Sequence, residues 1–109
     1  MKRCWIYCGV PQHSTLAELE KRRNALQEYA VQKEYEIVEF TSETINETFV
    51  RSSGALVVLR AITEHRMDVL VIEKGILDKK DLTIRTFFEF AQENGVIIQE
   101  IDLKGKGEK

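Results

Sequence analysis

Five residues, Asp68-Val69-Leu70-Val71-Ile72, set the tightest limit on what this chain can fold into. The run DVLVI is β-rich and apolar without alternation, which is the pattern of a strand buried on both faces. A sheet with one wet face would alternate apolar and polar residues instead. Covering both faces takes helices above and below the sheet, so the flanking sequence must supply them.

It does. CWIYCGV (Cys4 to Val10), YEIVEF (Tyr35 to Phe40) and GVIIQEI (Gly95 to Ile101) read as three further strands. Between the first two, Thr15 and Glu18 make a capping box. Leu16, Leu19, Arg23, Leu26 and Ala30 then recur at helical spacing as far as about Lys33. Leu56, Leu59 and Ile62 mark a second helix between about Ser53 and Glu64. Asp81 caps a third, whose apolar face carries Leu82, Ile84, Phe87, Phe88 and Ala91, and Asn94-Gly95 stops it. Of Phe87, Phe88 and Phe90, two are predicted to face the sheet and one to stay exposed as a partner surface.

The order β-α-β-α-β-α-β predicts an α/β domain: a three-layer α/β/α sandwich around a mostly parallel four-stranded sheet with right-handed crossovers. One domain over residues 1–103 suits 109 residues, and the last six, KGKGEK, read as a disordered tail. Ligands of such sheets bind beyond the carboxyl ends of the strands. The loops predicted at that edge are Gly9 to Ser14, Thr41 to Ser52 and Glu73 to Lys80.

Charge narrows the function. A formal net charge of −2 and a pI near 5.7 give no basic domain of the kind nucleic acids favour, so DNA binding is doubtful. Cys4 and Cys8 stand on one strand face roughly 13 Å apart, too far for a disulfide. They read as core filler. With no signal peptide and no membrane-length apolar run, a reduced cytoplasmic protein is expected, without membrane partners. His13 and His65 lack ligand spacing, so neither a metal nor a cofactor is expected, and His65 is assigned to helix-end carbonyls. Glu43, Glu47 and Glu73 read as a solvated acidic rim. Glu18 and Arg22 form an i,i+4 pair, and Lys21, Arg22 and Arg23 read as a solvated basic face.

The segment from Ile6 to Phe40, IYCGVPQHSTLAELEKRRNALQEYAVQKEYEIVEF, resembles the start of the catalytic domain of serine site-specific recombinases, the resolvase and invertase family. That family opens on a Tyr-x-Arg-Val-Ser strand, matched by Tyr7 to Pro11. A Gln-Arg-x-Ala-Leu helix follows, matched by Arg22 to Leu26, then a Gly-Tyr-x-Ile-Val-x-x-Phe strand, matched by Glu34 to Phe40. The similarity runs on through RSSGALVVLRAITEHRMDVLVIEKGILDKKDL and FAQENGVIIQEID, about residues 3 to 103 in all. It implies a resolvase-like sheet with the flavodoxin-like order 2-1-3-4.

Carried over residue by residue, the resemblance implies a gutted active site. The nucleophilic serine falls on Pro11 and the arginine before it on Gly9. The acid after strand two falls on Ser42, and the acid and first arginine after strand three fall on Gly75 and Ile76. Arg51 matches the arginine opening the second helix, and Lys79 replaces the last arginine. Phosphoserine formation needs a nucleophile and several cations on the phosphoryl oxygens. Proline, glycine and isoleucine supply neither. Ser14, about 10 Å further along extended chain, is too remote to substitute and reads with Thr15 as a helix cap. Family members continue into a fifth strand, a long helix and a DNA-binding domain, and the sequence stops before these.

The implied function is an interaction or regulatory module without catalytic residues, pairing with another protein or with itself. An alternative is a phosphate or nucleotide site at the strand ends, built from Arg51, Lys79, Ser14 and Thr15. A residual recombination role, with a partner supplying the nucleophile, is a further alternative. A receiver domain would need acids after strand one, where Gly9, Val10 and Pro11 stand. A flavodoxin phosphate loop would need Ser, Thr and Gly where GVPQHST stands.

Overall fold

The computed structural model describes residues 1–46 and 48–103, so the predicted tail and Glu47 lie outside the described residues. Four strands, β1 (Arg3–Pro11), β2 (Glu36–Ile45), β3 (Val69–Glu73) and β4 (Ile97–Ile101), form one sheet in the order β2-β1-β3-β4. All three pairings are parallel. The helices are α1 (Leu16–Gln32), α2 (Ser53–Thr63) and α3 (Leu82–Glu93). The predicted α/β sandwich and its 2-1-3-4 order are both present.

Strand alternation divides the core in two. Cys4, Ile6 and Cys8 pack with Leu26 and Ala30 of α1 and with Val69 and Val71. Trp5 and Tyr7 point the other way, toward Ala55, Val58 and Ile62 of α2 and Ile84, Phe87 and Ala91 of α3. Phe49, in a short 3-10 turn before α2, meets Tyr7 edge-on at 5.0 Å and Phe87 at 5.3 Å between ring centroids. This aromatic chain joins β1 to both helices of that face.

One helix turns out rotated from its predicted stripe. α2 buries Gly54, Ala55, Val58, Ala61 and Ile62 and leaves Leu56 exposed. Small residues let the helix axis approach the sheet, and that outweighs the bulk of leucine. Leu16 is also exposed, because it is the first residue of α1. On α3, Phe87 is buried while Phe88 and Phe90 are both partly buried against the core, so none of the three stands fully exposed.

All three helices end alike. The amide of the second residue past each C-cap bonds back to the carbonyl three residues before the cap: Tyr35 to Ala30, Arg66 to Ala61 and Val96 to Ala91. Gly95 ends α3 as the Asn-Gly pair predicts, whereas Glu34 and His65 take the same left-handed position without being glycine. His65 therefore meets the helix end through its backbone amide, which bonds Ile62.

β2 is longer than its apolar run suggests. The pairing of Cys4 with Ile37 and Trp5 with Glu39 skips Val38, a β-bulge that shifts side-chain parity by one. Beyond it Phe40 faces α1, while Thr41, Glu43 and Ile45 face α2. The strand then continues in register with β1 to the pair Pro11–Ile45. The first parts of two predicted loops, Gly9 to Pro11 and Thr41 to Ile45, are thus the paired ends of β1 and β2.

Burial pushes the Cys4 thiol up to about 11. Burial, then the charge of Glu73, does the same to Cys8. Both are free, as the spacing required. An unfolded thiol ionises near ~8.5. A raised native value means the native state holds its proton more tightly. The resulting stabilisation is complete below about pH 8.5 and is lost as pH rises toward about 11. The urea midpoint should therefore fall between about pH 8 and about pH 10.5, and fall less in a Cys4→Ala/Cys8→Ala protein.

Candidate functional site

Two acid-centred clusters occupy the carboxyl edge of the sheet, one on each face. On the α2 face the centre is Glu43. Its carboxylate accepts a very short hydrogen bond from the Tyr7 hydroxyl, the backbone N–H of Gly54 at 3.0 Å and the Ser53 hydroxyl at 3.3 Å. An anion at a helix amino terminus meets unsatisfied N–H groups and the positive end of the helix dipole. Ser52 completes the start of α2, accepting from Ala55 N–H at 3.1 Å and donating to the Phe49 carbonyl at 2.7 Å. Burial, then the bond to Glu43, raises the Tyr7 phenol well above its ordinary range, so it stays protonated as the donor.

This cluster demands glycine at two places. A Cβ on Gly54 would fall on the Glu43 carboxylate, 2.6 Å from its Cδ and 2.9 Å from the Tyr7 ring. A Cβ on Gly9 would lie 2.5 Å from Ile45 Cδ1 and 2.9 Å from Tyr7 Cε1. A side chain at position 9 would therefore have to displace Ile45 or Tyr7. Gly54→Ala on an ordinary helix surface would stabilise by roughly 0.5–1 kcal/mol. Here it should destabilise by about 1–3 kcal/mol through overpacking, read from urea unfolding.

A pocket of about 180 Å³ opens beside this cluster, lined by residues 43–46 and 51–53. Arg51 is exposed on its wall, and its guanidinium has no hydrogen-bond or ion-pair partner among the described residues. Lys79 lies elsewhere. Its ammonium pairs with Glu100 of β4 at 2.8 Å and lies 5.6 Å from the Phe88 ring centroid. Since β2 and β4 are the two outer strands, three strand spacings of about 4.8 Å separate the edges that carry these cations. The structure does not bring Arg51 and Lys79 together. Thr15 caps α1, accepting from Glu18 N–H at 3.1 Å, while the Glu18 carboxylate accepts from Thr15 N–H at 2.8 Å. Ser14 closes the preceding turn through its amide, which bonds Pro11 at 3.0 Å.

On the α1 face the centre is Glu73, the one buried charged residue among those described. Arg22 Nη1 donates to both of its oxygens, at 2.7 and 2.6 Å. That bond keeps the guanidinium protonated beyond its already high range. Arg22 therefore bonds Glu73, with Glu18 a weaker electrostatic neighbour, and Arg23 stacks on the Phe40 ring at 4.4 Å. Neither the solvated basic face nor the fully solvated acidic rim survives. The missed signal is Glu73 itself, a charge that directly continues the buried run of β3. Removing Arg22 strands a carboxylate that is 9% exposed. Arg22→Ala should cost about 2–3 kcal/mol, below the 3–5 of a fully buried pair because Arg22 is partly solvated. An Arg22→Met/Glu73→Leu protein should recover most of that loss.

Among the described residues no group of three or more His, Cys, Asp or Glu could hold a metal ion, and no helix is long and apolar enough to cross a membrane.

Solved catalytic domains of serine recombinases superpose on this four-stranded parallel sheet and its helices. The C-terminal catalytic domain of ISC1926 TnpA, an IS607-like serine recombinase, matches with a TM-score of 0.80 and 25% identity, covering 91% of this chain and 67% of that one. The N-terminal catalytic domain of TP901-1 integrase matches with a TM-score of 0.67 and 16% identity, over 95% of this chain and 78% of that one, a likeness of fold alone. No protein-family model and no curated protein matches the chain.

Proposed function

We propose that this chain is a serine-recombinase-fold domain that does not cleave DNA by the phosphoserine route and acts as an interaction or regulatory module. One observation carries the reading. By the sequence resemblance the family's arginine and serine fall on Gly9 and Pro11 at the end of β1, and a Cβ at position 9 would already press on Ile45 and Tyr7. A phosphodiester attacked at this edge would meet no hydroxyl at position 11 and no guanidinium at position 9.

Incubation with supercoiled plasmid, followed by denaturing electrophoresis, should yield no covalent protein–DNA adduct. The Pro11→Ser protein should yield none either, because a hydroxyl alone lacks the cations that stabilise the developing charge. An adduct with the natural sequence would overturn the reading.

The guanidinium of Arg51, without a partner among the described residues, favours a second reading, a phosphate or nucleotide site in the pocket it shares with Ser52 and Ser53. A thermal shift with nucleotides or sugar phosphates that disappears in Arg51→Ala would support it. No shift across such a panel would exclude it.

A further inference from the structure

The edge of the sheet formed by β2 has a feature that neither acid cluster uses. Among the described residues β2 pairs with β1 alone, so its outer N–H and C=O groups face away from the sheet. Proteins protect such edges with short strands, lysine, proline, bulges or a covering segment. β2 runs ten residues and contains no Lys, Arg or Pro. Its bulge lies near the amino end, and from Glu39 to Ile45 the register is unbroken. Glu36, Glu39, Ser42 and Thr44 are all exposed, so nothing among the described residues covers it.

The bulge also sets the edge's charge. By skipping Val38 it brings Glu36 and Glu39 onto the same face, the one carrying Trp5. Nearby cations have other first partners: Arg3, which stands opposite Glu36 and feels its charge, bonds Asp68 at 3.2 Å, and Arg66 meets the Trp5 ring and Glu64. We infer that the β2 edge is a docking site for an extended, basic segment of a partner protein, which adds to the sheet as a fifth strand. Main-chain hydrogen bonds along Glu39–Ile45 supply the register, and Lys or Arg facing Glu36 and Glu39 supplies selectivity. A second copy of this chain is a poor occupant. Two β2 strands paired together would set acid against acid, and the only cation on any described strand is Arg3.

The inference rests on reading the chain as an interaction module. Its test is independent of the DNA assay, because loss of peptide binding leaves the argument about Pro11 and Gly9 untouched. The ¹⁵N-labelled protein is titrated with a ten-residue peptide alternating Lys and Val, and with its Glu-for-Lys counterpart. The Lys peptide should shift amide resonances of β2, slow hydrogen exchange at its outward amides and bind more weakly as salt rises. Glu36→Lys/Glu39→Lys, two exposed positions outside both acid clusters, should weaken binding at least tenfold with the circular dichroism spectrum unchanged. Equal binding of the two peptides, shifts centred elsewhere, binding unaffected by the double substitution, or β2 protection through self-association in the free protein would each overturn the proposal.

Discussion

The carboxylate of Glu43 is the point on which the carboxyl edge of this fold is organised. It takes a proton donor from the core strand, Tyr7, and two from the start of α2, Ser53 and Gly54. An ionised acceptor with several donors is a stronger anchor than a neutral one. It also dictates its neighbours: Gly54 has no room for a side chain, and Tyr7 is held in place to meet Phe49. None of this is possible unless Glu43 faces α2. Parity on β2 is therefore the underlying constraint, and the skipped residue Val38 sets it.

The two faces of the sheet use charge differently. On the α2 face a partly exposed acid satisfies a helix terminus beside an open pocket. On the α1 face a buried acid is neutralised by Arg22 reaching across from α1. A buried ion pair contributes little net stability but is costly to break, so Arg22 and Glu73 fix α1 against the end of β3. Between them, Gly9 and Pro11 end β1 with neither charge nor hydroxyl. Glu43 and Glu73 are thus engaged in holding elements together, while Arg51 stands exposed on the pocket wall.

Much of the architecture was legible because hydrophobic period and punctuation agree. DVLVI announced the buried central strand, the Thr15–Glu18 box started α1 where predicted, and Asn94-Gly95 ended α3. The misses have specific causes. β2 was cut at Phe40 because its polar second half, Thr41 to Ile45, is held by pairing with β1 and not by its own composition. The bulge at Val38 leaves no mark in a single sequence, so Glu43 was read as part of a solvated rim when it faces α2 and anchors the start of that helix. On α2, large residues drew attention to a face that turns outward, while Gly54, Ala55 and Ala61 made the contact. Arg22 was matched to Glu18 one turn away, because a partner 51 residues distant is invisible to local spacing.

A double-mutant cycle between Tyr7→Phe and Glu43→Gln tests most directly whether Glu43 is the anchor of this edge. Tyr7→Phe removes the donor and Glu43→Gln the negative charge of the acceptor, each while nearly keeping shape. If the bond holds β1 to the start of α2, unfolding free energies will show a coupling of at least about 1 kcal/mol. Additivity of the two substitutions within roughly 0.5 kcal/mol would contradict the account.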